Sequence, residues 1–235
     1  MLKLYLCQKA WDLIDINPYG MKTALFMQRH AIPHAVIYEP SNNSSPSGQL
    51  PYLVDGDHTV TDSNSIIDYL IKKYSLKGDE HVLPQNQSVA LLIQRVLEEH
   101  LYPVMLYSRI VDPSGLAVFK RELFTDNNGI HENKVNLIRS SILDYIHGRG
   151  FKGLQAEMIY QRGVDDLKAI NQLMPNSGYF FGEKLVAFDI ILFSFLANIH
   201  QVPLTNSLND YVANSTKMVA YLNYCEQHLQ NIHYN

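Results

Sequence analysis

Cysteine is scarce in this chain, tryptophan nearly absent, and neither sign of charge dominates. Two cysteines in 235 residues exclude a disulfide scaffold and a cysteine-rich metal cluster. Cys7 and Cys225 sit in the apolar stretches LKLYLC and AYLNYC near opposite ends of the chain, which reads as two buried structural thiols in a reducing compartment. The 19 Lys+Arg against 23 Asp+Glu leave a formal charge of −4, so there is no general attraction to nucleic acid or anionic lipid. The longest apolar stretch of the C-terminal half, 185–199, is interrupted by Asp189 and Asn198 and falls short of a membrane span. The start, MLKLYLCQKAW, is too short and too interrupted by Lys3 and Lys9 for a secretory signal. The ten histidines show no HExxH, HxH or Cys–His spacing, so no metal site is expected. Together these absences predict a cytoplasmic protein with no nucleic-acid partner, no membrane span and no metal.

What the sequence does hold is core material. Hydrophobic residues make up 46% and charged residues 18%, enough for one large domain or two small ones. The N-terminal third alternates strand and helix signals. Leu2–Cys7 is β-prone, a helix is expected from Pro18 to about His30, and His34–Tyr38 is a second strand. The polar PSNNSSPSGQ segment is a loop. Pro51–Val54, a turn at Asp55-Gly56-Asp57 and Thr59–Thr61 predict a hairpin, and Asp62-Ser63 opens a helix with Ile66, Ile67 and Leu70 on one stripe. The polar stretch Ser75–Gln87 then reads as a linker. Beyond it the patterns are helical at 88–110, where Pro103 is expected to bend or interrupt the helix, and at 133–147, 157–173, 187–200 and 218–229.

The order βαβ–ββα followed by helices resembles the glutathione S-transferase architecture, a thioredoxin-like domain with a helical-bundle domain behind it. That resemblance rests on residues as well as on order. Leu50-Pro51 through Gly56, followed by Asp62-Ser63-Asn64-Ser65-Ile66-Ile67-Asp68-Tyr69-Leu70, resembles the family's Pro, acidic-Ser, Ile-Ile-x-Tyr-Leu signature. Phe180-Phe181-Gly182-Glu183 through Asp189 resembles its late buried-helix segment. Trp11 with Asn17-Pro18-Tyr19-Gly20-Met21-Lys22 is similar to the start of the metaxin and failed-axon-connections (Fax-like) branch, as are Glu98–Tyr102, Tyr107–Asp112, His147–Gly150 and Val219–Cys225. The resemblance implies a thioredoxin-like domain at 1–76, a linker at 77–86 and a helical domain at 87–235.

Each residue of interest has a bland reading and one that the resemblance implies. On base rates Leu50-Pro51 is a trans proline opening a strand. The resemblance implies a cis bond and main-chain pairing of Leu50 with the cysteinyl unit of glutathione. By spacing, Asp62 and Ser63 are preferred helix caps, worth about 1 kcal/mol each. By resemblance they hold the γ-glutamyl end, and Gln49, in a loop where relatives often carry a basic residue, hydrogen-bonds the glycyl carboxylate. A helix N-terminus suits a carboxylate in either case. At the start of the first helix, relatives carry the Ser or Cys that activates or attacks the thiol; here Asn17 and Gly20 occupy both thiol positions. Dithiol chemistry is therefore excluded, and thiolate stabilisation falls to Asn17 and the helix N–H groups, with Tyr19 as a second catalytic candidate. Lys22 fits the branch pattern and otherwise reads as a solvated or salt-bridged surface residue.

The resemblance also implies a second-substrate pocket, between the first loop and the long helix, walled by Trp11, Tyr102, Met105 and Arg109. An aromatic stripe is more often core, and Arg109 is the residue least easily explained that way. Asp189 is read as structural. The implied activity is glutathione transfer to a small hydrophobic electrophile in a detoxification role, with glutathione as co-substrate. The resemblance is also compatible with a homodimer. The alternative is a non-catalytic binding or assembly module of the metaxin kind.

Overall fold

The computed structural model describes residues 1–39, 44–77, 79, 82–126 and 129–229. Parts of the polar loop (40–43) and of the linker (78, 80–81) assigned from the sequence lie outside the described residues.

Strand β1 (Leu2–Leu6) buries Leu2, Leu4 and Leu6 and turns Lys3 and Tyr5 to the other face, the period-two pattern of a half-buried strand. Helix α1 (Pro18–Arg29) begins at a proline whose missing N–H costs nothing in the first turn, and Asn17 caps it by accepting from Tyr19 N at 3.1 Å. The chain returns through β2 (His34–Tyr38), parallel to β1, so α1 is the crossover of a βαβ unit. Strands β3 (Tyr52–Asp55) and β4 (His58–Thr61) form an antiparallel hairpin whose two-residue loop places Gly56 at φ +60°. The sheet order is β2-β1-β3-β4. Helix α2 (Ser63–Tyr74) packs on α1 and buries Ile66 and Leu70 completely.

Residues 1–90, 175–201 and 220–235 form one compact unit, and residues 91–174 and 202–219 a second. The first unit thus holds two late helices, α8 (Ala187–His200) and most of α10 (Thr216–Leu229). Helix α8 is predominantly apolar and buried on every side from Phe188 to Ile199, as an interior helix is, and it packs against α1. Its N-terminus lacks a hydroxyl cap because position 186 is Val. Asp189 accepts from Val186 N at 3.0 Å instead, and Asp79 accepts from Ala187 N at 2.6 Å.

The expected helical patterns of the second unit are present, and the long one is interrupted near Pro103, in the form of π-helical turns. The long helix expected over 88–110 is α3 (Pro84–Arg95), a π-helical stretch Val96–Leu101, α4 (Tyr102–Leu106) and a second π-helical stretch Tyr107–Val111. Pro103 supplies the reason for the first. It has no N–H to give, and the preceding residue, Tyr102, donates to Leu97 O five residues back, so the widened turn absorbs the break. Helix α5 (Pro113–Leu123) and the short pair β5 (Thr125–Asp126) and β6 (Gly129–Ile130) are additional to the expected elements. Helix α5 crosses so closely that a Cβ on Gly115 would overlap the Ser108 carbonyl. The unit also holds helices α6 (Glu132–Ile146), followed by a π-helical stretch His147–Phe151, and α7 (Ala156–Leu173), with α9 (Ser207–Asn214) a further element beyond those expected.

Candidate functional site

Sheet register assembles one end of the first unit. Tyr52 pairs with Thr61, so Pro51 and Asp62, each one residue beyond that pair, emerge side by side. The Leu50–Pro51 peptide is cis. Asn17 at the mouth of α1 donates from Nδ2 to Leu50 O at 3.1 Å and brings a third segment to the same end. Asn17, Leu50, Pro51, Asp62 and Ser63 are therefore neighbours, although 46 positions separate the first from the last.

At the start of α2 the structure divides two residues that sequence spacing treats alike. Asp62 is the cap: its Oδ2 accepts from Ser65 N at 2.9 Å, and its backbone sits at φ +69°, a conformation rare outside glycine. Its carboxylate remains exposed. Ser63 does not cap. It is 2% exposed and its Oγ has no hydrogen-bond partner among the described residues. A buried hydroxyl left unpaired costs about 1–3 kcal/mol, and such groups mark places where a missing partner belongs.

The start of α1 explains why position 20 is glycine. Asp15 is fully buried and accepts from Cys7 N at 3.1 Å, Gln8 N at 3.3 Å and Asn17 N at 3.0 Å. A Cβ on Gly20 would overlap Asp15 Oδ2 and lie 2.9 Å from its Cγ. The space a thiol would fill is occupied by a carboxylate that organises the preceding loop. The same loop contains a tight turn, with Leu13 N donating to Ala10 O at 2.9 Å and both Trp11 (φ 51°) and Asp12 (φ 60°) in the left-handed region. Sequence reasoning missed Asp15. The available signal was a glycine in the first turn of a helix, where close approach is its usual excuse.

Tyr19 meets the ring of Phe195 edge to face at 5.6 Å. Lys22 corrects the surface reading: it is fully buried, its ammonium donates to Asn64 Oδ1 at 2.8 Å, and it lies 5.4 Å from the Tyr19 ring centre. Gln49 is exposed, with its backbone N–H held by Ser45 Oγ at 3.2 Å. Of the residues expected to meet a second substrate, Trp11 and Tyr102 are half-buried. Met105 and Arg109 are 1% and 5% exposed, and the Arg109 guanidinium lies 5.6 Å from the Phe119 ring centre.

Asp189 Oδ1 accepts from Phe180 N at 2.8 Å and Tyr221 OH at 2.9 Å, which ties α8 to α10. Burial pushes the Asp189 carboxyl up despite those bonds. Burial and the Asp189 charge also push the neighbouring Cys225 thiol up to about 12, so it carries negligible thiolate at neutral pH. Among the described residues no cluster of three or more His, Cys, Asp or Glu is arranged to hold a metal ion, and no helix is long and apolar enough to cross a membrane.

Residues 18–115 match the family model for the glutathione S-transferase N-terminal domain, and residues 163–225 match that for the C-terminal domain. The isoprene-epoxide glutathione S-transferase of Rhodococcus sp. (strain AD45) is 30% identical over 229 residues, covering 94% of this chain and 96% of that protein. Failed axon connections of Drosophila melanogaster is 24% identical over 226 residues, covering 90% of this chain but 54% of the fly protein. Metaxin-1 of Mus musculus is 22% identical over 244 residues, covering 99% and 75%. Among solved structures, the β-etherase LigF from Sphingobium sp. strain SYK-6 shares the fold at a TM-score of 0.65 and 17% identity, covering 98% of each chain.

Proposed function

Given that the chain belongs to the glutathione S-transferase family, with Fax and metaxin proteins among its relatives, we propose that it binds glutathione and adds its sulfur to a small electrophile. The observation that carries the reading is Ser63 Oγ, buried at the first turn of α2 and without a partner among the described residues. A helix N-terminus offers unpaired N–H groups and partial positive charge. With the Ser63 hydroxyl added, that corner suits the α-carboxylate of the γ-glutamyl unit. The exposed Asp62 carboxylate suits its ammonium, and the Leu50 main chain suits the cysteinyl unit.

The sulfur then falls to the start of α1. The Asn17 amide carries two N–H donors; one is held by Leu50 O at 3.1 Å, and we assign the other to the thiolate. The relative acting on an isoprene epoxide makes an epoxide the first electrophile to try. Glutathione loses its thiol proton, sulfur forms a bond to one ring carbon, the C–O bond of that carbon breaks, and the released oxygen takes a proton. No covalent bond to the protein forms, in keeping with the absence of a thiol at positions 17 and 20.

One observation favours the second reading, a non-catalytic binding module. The buried Asp15 carboxylate beside the first turn of α1 opposes the build-up of another negative charge there. Calorimetric titration with glutathione, followed by turnover of an epoxide, separates the two. Binding with turnover supports the transferase; binding without turnover leaves the module; no binding at millimolar glutathione overturns the glutathione site.

A further inference from the structure

Among the described residues, one of the largest fully buried side chains is a lysine. Lys22 is 0% exposed, and an ammonium is among the most costly groups to take out of water. Its position makes the cost purposeful. The ammonium donates to Asn64 Oδ1 at 2.8 Å, and Asn64 is the second residue of α2, immediately after Ser63. The Lys22 side-chain nitrogen therefore lies against the same helical turn as the Ser63 hydroxyl, which is 2% exposed and has no hydrogen-bond partner among the described residues. The first turn of α2 contains no acidic residue, and the carboxylate nearest to it, that of the Asp62 cap, is exposed and bonded to Ser65 N.

Resting on the glutathione reading above, we infer that Lys22 is a positioning and charge-supplying residue that makes the α2 corner selective for the α-carboxylate of the γ-glutamyl unit. It works through Asn64. Its hydrogen bond fixes the second residue of the helix, and its charge adds to the partial positive charge of the helix end. In a buried setting, where screening is weak, that sum favours a carboxylate over a neutral group. Selectivity for this ligand end thus depends on a residue of α1, 41 positions away from Ser63, that need not touch the ligand.

The test compares two thiol tripeptides by calorimetry: glutathione, and 4-aminobutyryl-Cys-Gly, which lacks only that carboxylate. In the wild type glutathione should bind more tightly. In Lys22→Met its affinity should fall by roughly tenfold or more, about 1.4 kcal/mol, while the analogue is unchanged. Asn64→Ala should show the same selective loss in smaller measure. If Lys22→Met does not fold, Lys22→Gln should lose the preference and Lys22→Arg retain it. Equal losses for both ligands, or unchanged glutathione affinity, would overturn the inference while leaving the glutathione site standing. Wild type that binds neither ligand overturns both.

Discussion

Replacing Ser63 by alanine separates a structural hydroxyl from a ligand-binding one. Ser63 Oγ is buried and makes no hydrogen bond among the described residues, while the capping of α2 is done by Asp62 through Ser65 N at 2.9 Å. Removing the hydroxyl therefore breaks nothing in the free protein. It relieves an unsatisfied buried group that costs about 1–3 kcal/mol, and alanine gains a few tenths of a kcal/mol in helix propensity. Ser63→Ala should be as stable as wild type or up to about 3 kcal/mol more stable, with Tm rising about 2–4 °C for each kcal/mol. Its glutathione affinity should move the other way, by about 10- to 100-fold, because a hydrogen bond to a charged acceptor is worth about 1.5–3 kcal/mol. Asp62→Ala is the contrasting variant. It loses the cap and about 1 kcal/mol of stability as well as the ammonium partner. Urea denaturation and calorimetry on the three proteins would read both axes. A Ser63→Ala protein destabilised by more than 1 kcal/mol, with unchanged affinity, would refute the reasoning.

Three further outcomes follow from the geometry. Gly20→Cys should destabilise by about 1–3 kcal/mol or more through overlap with the Asp15 carboxylate, and it should show no glutathione-dependent disulfide reductase activity; wild-type stability in urea would mean that Asp15 moves aside easily. Asn17→Asp keeps the oxygen that caps Tyr19 N but loses both amide donors, so it should fold while kcat for an epoxide falls by about 100-fold. An unchanged kcat would remove Asn17 from the chemistry. The last prediction concerns acid stability. Although burial opposes its charge, hydrogen bonds from Ser114, Tyr160 and Gly115 hold the Asp112 carboxyl below its usual value of 3.8. A depressed carboxyl adds stability above that value and loses it as pH falls through the folded one. Asp112→Asn should therefore be less stable than wild type at pH 7, and the gap should close below about pH 4 when unfolding is followed by circular dichroism.

Much of this site is legible in the chain because the signals are local. The proline that opens α1, the alternation in β1 and the Asp-Gly turn before β4 each act within a few residues, and short-range sterics read them the same way in any context. Hence α1, β2 and α8 begin or end within about a residue of expectation. The long-helix pattern was legible as apolar periodicity but not as π-helical turns, because those depend on where the missing N–H of Pro103 leaves the ladder.

The distance-spanning terms were not legible. Lys22 reads as an ordinary surface lysine until α2 brings Asn64 to its ammonium. Asp62 and Ser63 are equivalent caps until hydrogen bonding uses one and leaves the other. Gly20 looks like a lost thiol until Asp15 is found in the space. The sequence alone determined the scarcity of thiols, the order of elements and the family to which they point, since composition and local periodicity survive without coordinates. Only the tertiary structure decided which polar groups are buried and which lack a partner, because burial and hydrogen-bond satisfaction are properties of segments brought together across the chain.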